Sequence, residues 1–230
     1  MLFVYFYLAF LPLLSQQPPS PPATPASSAG SADPFAKWEK EIAGIEKKRE
    51  QSGIEPGGVT FVGSSTIRLW DLKKSFPGKP YFNAGFGGSV TADATHFVPR
   101  IVLPQKPSIV VFYSGDNDIN NKRTAEQVRD DTRAFVRSIH ETLPKTKIII
   151  LGIKPSVARV KQVETQKKAN DFVKADCEKN PLLRFIDPVP LILGNDGKPI
   201  PSRFQKDGLH LSDEGYALIA REIQALISEK

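Results

Sequence analysis

The feature that most constrains this chain is an alternation. Five short runs of apolar and β-prone residues, at 59–62, 80–83, 108–113, 147–151 and 183–186, are separated by longer stretches of helical periodicity at about 90–102, 124–142 and 158–178. A further helical pattern at 34–51 precedes them and another at 213–228 closes the chain. The runs are apolar along their length, as expected of strands buried on both faces. Strand–helix alternation of this kind predicts a parallel sheet with helices packed on it. Right-handed crossovers then bring every strand's carboxyl end to one edge, where open α/β sheets hold their ligands.

The helices carry their own signals. Phe35, Trp38, Ile42 and Ile45 recur at spacings of three and four, and Val128, Phe135, Val136 and Ile139 form a second stripe. Thr124 and Gln127 are placed for a capping box, and Ser212 precedes a last helix whose apolar face is Tyr216, Ile219, Ile223 and Ile227. Asp213 and Glu214 favour the positive end of that helix.

Three polar or glycine-rich clusters directly follow predicted strands: Gly63-Ser64-Ser65, Asn83-Ala84-Gly85-Phe86-Gly87-Gly88, and Ser114-Gly115-Asp116-Asn117-Asp118. A fourth, Asp207-Gly208-Leu209-His210, stands before the final helix. The sheet geometry predicts that the first three meet at one edge. Their chemistry is coherent. A serine hydroxyl needs a base in hydrogen-bond reach, and histidine with a carboxylate on its other nitrogen is the usual one. Asp207 and His210 are close enough in sequence to meet in one turn. Glycine N–H groups and an asparagine amide supply donors for a developing oxyanion. Each cluster also has a plainer reading. Ser64 and Ser65 suit a helix cap or a phosphate cradle, the glycines a tight turn, and Asn117 a local turn former.

Taken in order, Gly63-Ser64-Ser65, Gly88, Gly115-Asp116-Asn117-Asp118 and Asp207-Gly208-Leu209-His210 resemble the four blocks of the SGNH/GDSL hydrolases, with platelet-activating-factor-acetylhydrolase-like spacing. The resemblance runs from about Gly57 to the C-terminus. It implies a flavodoxin-like, three-layer α/β/α sandwich on a five-stranded parallel sheet, and a serine esterase without metal or other cofactor. By motif position it implies Ser65 as nucleophile, His210 as base and Asp207 as the acid that orients it. The oxyanion hole would be the N–H groups of Ser65 and Gly88 with the Asn117 side chain. In one place the chain departs from the pattern: Ser64 stands where the family usually has aspartate. The expected substrates are short-acyl or acetyl esters of small-molecule, carbohydrate or lipid alcohols. Lysophospholipase or thioesterase activity is the alternative within the family, and a phosphate- or flavin-binding protein the alternative outside it.

The remaining titratable side chains are few. Of three histidines, His96 has only Asp93 nearby in sequence, on a helix face expected to be solvated, and His140 sits near a helix C-terminus where a cation is mildly favoured. Asp116 and Asp118 read as groups that fix the loop. Cys177 is the single cysteine, which excludes an internal disulfide, and its apolar neighbours mark it as a core residue. The net charge is +6, but Lys and Arg are interspersed with acids and form no long run, which argues against nucleic-acid binding.

The first 32 residues contain no charged side chain. An apolar run through Leu14 is too short to span a bilayer comfortably and fits the core of an export signal, followed by a Pro/Ser/Ala-rich linker. Cleavage is expected after Ser15 or within 23–32. The expected organisation is a signal segment at 1–15, a linker at 16–33 and a hydrolase domain at 34–230. The protein is then periplasmic or extracellular with no stable membrane span, or tethered by an uncleaved signal.

Overall fold

The computed structural model describes residue 1 and residues 33–228. The chain divides into two units, Met1–Asp33 and Pro34–Lys230. The signal and linker segments expected in the first unit lie outside the described residues.

The second unit is a three-layer α/β/α sandwich. Its five strands, β1 (Val59–Gly63), β2 (Phe82–Gly85), β3 (Ile109–Tyr113), β4 (Lys147–Leu151) and β5 (Leu183–Ile186), are ordered β2-β1-β3-β4-β5 and all pair in parallel. The helices are α1 (Glu39–Gln51), α2 (Ser65–Arg68), α3 (Leu72–Ser75), α4 (Thr91–Ile101), α5 (Asp116–Asn120), α6 (Ala125–His140), α7 (Val163–Cys177), α8 (Val189–Ile192) and α9 (Asp213–Ser228). The alternation of side chains along each strand builds two cores. Val62, Phe112 and Ile150 face α1, α4, α6 and α7, where Phe112 stacks on Phe135 at 3.8 Å between ring centres. Phe61, Val111 and Ile149 face the other way, against Trp70, Phe76 and the α9 residues Tyr216, Ile219 and Ile223. Truncating any of these fully buried side chains to alanine is expected to cost about 2–5 kcal/mol.

The capping box of α6 forms as expected: Gln127 N–H donates to Thr124 Oγ1 and Thr124 N–H to Gln127 Oε1. Ser212 Oγ accepts from Gly215 N–H at the start of α9, and Cys177 is buried. Burial pushes its thiol up to about 12, which removes the thiolate chemistry a free cysteine offers.

Three expectations are corrected. The second strand runs two residues later than 80–83, because Pro80 has no N–H to give the ladder and Asn83 pairs with Phe61 inside it. The helix expected from about 158 begins at Val163, preceded by a 3-10 stretch, Val157–Gln162, with non-helical backbone at Arg159. Asp93 is not solvated: it is buried and accepts the Val90 N–H at the entry to α4.

The strand order turns back between β1 and β3. From β1 the chain goes to β2 on one side, then crosses to β3 on the other, so a crevice opens at the carboxyl ends of β1 and β3. Among the described residues no helix is long and apolar enough to cross a membrane.

Candidate active site

The crevice is lined by the clusters that follow the strands. Gly63 ends β1 with φ +142° and packs so tightly on β3 that a Cβ there would lie 1.9 Å from the Tyr113 carbonyl oxygen; only glycine fits. The chain then turns sharply into α2. Ser64 is the extended residue before the helix, its own N–H donating to Tyr113 O at 3.1 Å. Its side chain makes no capping bond; instead its carbonyl accepts the N–H groups of both Ile67 and Arg68.

Ser65 is the first residue of α2. This helix is four residues long and is held at its far end from two sides. The Asn83 amide donates to Ile67 O at 2.7 Å and Trp70 O at 3.1 Å, while Tyr216 Oη donates to Thr66 O at 2.8 Å. These bonds fix the direction of the Ser65 side chain before any ligand arrives.

That side chain meets the fourth cluster. Ser65 Oγ lies 2.9 Å from His210 Nε2, and His210 Nδ1 lies 2.6 Å from Asp207 Oδ2. The turn carrying them is self-contained. Asp207 Oδ1 accepts the N–H groups of Leu209 and His210, Gly208 takes φ +64°, and Gln205 N–H donates to His210 O. Burial works against the Asp207 charge, but the His210 ring and the two N–H donors outweigh it and hold the carboxyl down to about 2. An ionised carboxylate only accepts, so Nδ1 carries the proton of the neutral ring and Nε2 is left to accept from the Ser65 hydroxyl.

The third cluster supplies the opposite wall. Gly115, with φ +101°, turns β3 into α5 and presents Asn117, whose Nδ2 donates to Ser89 O at 3.0 Å. The amide's second N–H is thereby directed away from Ser89. Gly88 lies next to Ser89 at the end of the β2 loop. Among the described residues neither the Ser65 N–H nor the Gly88 N–H has an acceptor. Asp118 is fully buried, and both its oxygens accept Thr91 N–H, which pins the start of α4 to this loop. Burial raises its pKa to about 6.

Behind Asn117 stands a network around Asp116 whose other members, Arg159, Lys154 and Gln166, the sequence clusters did not include. Arg159 donates through Nη2 to Asn117 Oδ1 at 3.0 Å, while its Nη1 lies 2.8 Å from Asp116 Oδ1. Asp116 also takes Gln166 Nε2 and lies 3.6 Å from the ammonium of Lys154, which is 1% exposed and donates to Tyr113 Oη at 3.1 Å. Burial lowers the Lys154 pKa and Asp116 opposes that. The segment Val157–Gln162 is a strap across the site: it carries Arg159 to Asn117, and its Ala158 N–H donates to Gly208 O at 3.1 Å. Apart from Met1, the exposed large apolar side chains among the described residues are Leu69, Val157 and Val160; Leu69 lies at the end of α2 and the two valines on the strap.

His96 stacks on Phe35, and His140 Nε2 contacts Thr146 O; neither approaches Ser65 through any hydrogen bond. Among the described residues no group of three or more His, Cys, Asp or Glu is arranged to hold a metal ion.

Residues 66–218 match the GDSL-like Lipase/Acylhydrolase family. The chain is 29% identical over 175 residues to platelet-activating factor acetylhydrolase IB subunit alpha1 of Bos taurus, covering 74% of each protein. It is 30% identical over 181 residues to the alpha2 subunit of Homo sapiens, covering 74% of this chain and 76% of that one. Among solved structures, a GDSL-like lipase from Bacteroides thetaiotaomicron superposes with a TM-score of 0.64 at 18% identity, covering 84% of this chain and 97% of the other. A catalytic variant of an acetylxylan esterase from Geobacillus stearothermophilus superposes with a TM-score of 0.60 at 16% identity, covering 77% and 97%. Both share the fold described above.

Proposed function

Because this chain belongs to the GDSL-like lipase/acylhydrolase family, we propose that it hydrolyses short-acyl or acetyl carboxylic esters with Ser65 as nucleophile, His210 as base and Asp207 as orienting acid. The observation that carries this reading is the unbroken hydrogen-bond chain from Ser65 Oγ through the His210 ring to Asp207, at 2.9 and 2.6 Å, at the sheet's strand-order reversal.

The geometry supports a two-step acyl transfer. Ser65 Oγ attacks the ester carbonyl carbon as its proton passes to His210 Nε2, and ionised Asp207 stabilises the resulting imidazolium. The oxyanion is met by the N–H groups of Ser65 and Gly88 and the outward N–H of Asn117; one such donor is worth about 3–4 kcal/mol. Collapse breaks the carbon–oxygen bond to the alcohol, which leaves with the proton from Nε2. Water, deprotonated by the same nitrogen, then attacks the acyl-serine, releasing the acid and restoring Ser65.

Arg159 acts in this scheme as a positioning residue. By donating to Asn117 Oδ1 it fixes which end of the amide is nitrogen, so a donor and not an acceptor faces the oxyanion. Val157, exposed on the strap and packed against Gly208 of the His210 turn, gives the site an apolar neighbour suited to a short acyl or aryl group. The phosphate-cradle alternative is less well supported: the N–H groups of Ile67 and Arg68 are already taken by Ser64 O, and the Ser65 hydroxyl by His210.

The test is labelling with a fluorophosphonate probe, followed by turnover of acetyl through octanoyl aryl esters. Labelling that is lost in Ser65→Ala and His210→Ala but kept in Ser64→Ala supports the assignment. Labelling that survives Ser65→Ala and vanishes in Ser64→Ala overturns the nucleophile. A wild type that neither labels nor turns over any ester overturns the activity. Preference for long acyl chains or thioesters moves the substrate to the family alternatives. Export is proposed on the uncharged N-terminal apolar run, and N-terminal sequencing of secreted protein tests it.

A further inference from the structure

Beside the nucleophile corner a cleft of about 610 Å3 runs along the outer edge of β2, between α1 and the α2–α3 segment. Four cations line it: Lys47 and Lys48 from α1, Arg68 at the end of α2, and Lys73 in α3. The acid in the lining, Asp71, uses Oδ1 to accept Lys74 N–H at the start of α3. Among the described residues none of the four cations is paired with a carboxylate. Lys48 lays its ammonium 5.6 Å from the Phe82 ring centre and donates to Asn83 O at 3.1 Å. Desolvation there and, second, the like charge of Lys73 lower its pKa. A second cleft of the same volume, on the α9 side of α3, has two cations rather than four, Lys74 and Arg221, and its Lys74 is paired with Asp213 at 2.6 Å.

Arg68 joins the basic cleft to the site. It stands three residues after Ser65, and its guanidinium lies against Gly87, where an added Cβ would come within 2.5 Å of Nε. The next residue is Gly88. A group extending from an ester bound at Ser65 toward α1 therefore meets Arg68, beside the Glu41 carboxylate that accepts Gly87 N–H at 3.2 Å, and the three lysines of the cleft beyond it.

We propose that this cleft is a subsite for the anionic alcohol portion of the substrate, a carboxylate-bearing oligosaccharide whose O-acyl groups are removed at Ser65. The inference rests on the esterase reading above. A single phosphate would call for donors converging on one point. Here the cations come from three separate elements, α1, α2 and α3, which suits charges repeated along a sugar chain.

The experiment compares O-acetylated oligogalacturonate, O-acetylated xylo-oligosaccharide of equal length, an acetylated glycerophosphate and 4-nitrophenyl acetate, using the full chain. At low ionic strength kcat/KM for the acidic oligosaccharide is expected to exceed that for the neutral one by about tenfold, and to lose the advantage as salt screens the cleft. Lys48→Gln combined with Lys73→Gln should remove that advantage while turnover of 4-nitrophenyl acetate stays within about twofold, because rim charges act mainly on encounter. Equal rates on both oligosaccharides, or an advantage that survives the double variant, overturns the subsite. Faster turnover of the glycerophosphate ester overturns its assignment to a glycan. Failure of the esterase reading is distinct, since then Ser65-dependent turnover of 4-nitrophenyl acetate is itself absent. Binding of unesterified oligogalacturonate to Ser65→Ala protein, followed by fluorescence of Trp70 in the cleft wall, reads the subsite without catalysis. A salt-sensitive signal lost in the Lys48/Lys73 variant supports the subsite; no signal counts against it.

Discussion

Two aspartates flank the Ser65 crevice and differ in nearly every physical respect. Asp207 has a side chain 46% exposed, and its hydrogen bonds among the described residues are to groups within three positions: Leu209 N–H, His210 N–H and the His210 ring. Asp116 has a side chain 7% exposed and draws its partners from β4's exit and beyond: Lys154, Arg159 and Gln166. The first cluster is a turn that forms its geometry by itself and remains wet. The second exists only when the whole sheet is assembled, and it holds charge in a place that cannot solvate it. A local, exposed carboxylate can be tuned for chemistry at small cost to the fold. A remote, buried one is committed to the fold, and any part it has in chemistry is borrowed through Arg159 and Asn117.

The contrast predicts that damage on the two sides will separate into lost rate and lost stability. The largest effect belongs to the exposed side. His210→Ala is expected to lower kcat/KM by about 10⁴ or more, equivalent to about 5.5 kcal/mol of transition-state stabilisation, with little change in urea midpoint. A large loss of stability in that variant would break the comparison. On the buried side, Asp116→Ala leaves the Lys154 and Arg159 charges without their carboxylate, at a cost of about 3–5 kcal/mol in urea unfolding. Adding Lys154→Met should recover part of that loss, since the uncompensated charge goes with it; an additive pair would deny the coupling.

A smaller effect tests the bridge between the two sides. Arg159→Ala should lower kcat by about 10- to 100-fold with KM little changed, as expected when an oxyanion donor loses its orientation. Arg159→Lys keeps a cation for Asp116 but not a planar fork that also reaches Asn117, so it should restore stability while kcat stays low. Recovery of both would make Arg159 merely structural. The smallest effect is a pH dependence at Asp118, whose folded pKa of about 6 stands above the ordinary 3.8. Its contribution to stability is full below the unfolded value and is lost as pH rises through about 6. The Tm of wild type minus that of Asp118→Asn should therefore grow as pH falls from about 7 to about 4; a constant offset would place the titration elsewhere.

The same contrast explains what could be read in the chain. The alternation of apolar runs and helical stripes forecast all five strands and the main helices, because burial on both faces leaves its mark residue by residue. Asp207 and His210 were legible because their contact is local, and Ser65 because motif order assigned it. Arg159 and Lys154 were not, since their partners lie in other loops and no short spacing connects them. A signal was nonetheless present: Lys154-Pro155-Ser156 follows β4 closely, at the same edge as the clusters after β1, β2 and β3. A lysine so close to the end of a buried strand is costly unless something meets it. Asp93 misled for the converse reason. Helical periodicity placed it on an outer face, while capping of the Val90 N–H drew it inward.

The strap at Val157–Gln162 has a thermodynamic consequence. One short segment holds Asn117, the amide proposed to receive the oxyanion, through Arg159, and the Asp207–His210 turn, proposed to handle the proton, through Ala158. If this segment opens as one unit, the population of molecules able to stabilise the oxyanion and the population able to move the proton become the same population. Disturbing the strap would then reduce the fraction of competent enzyme rather than the quality of each molecule. Substitutions at its two anchors should show less than additive losses, since either alone already releases what the other secures.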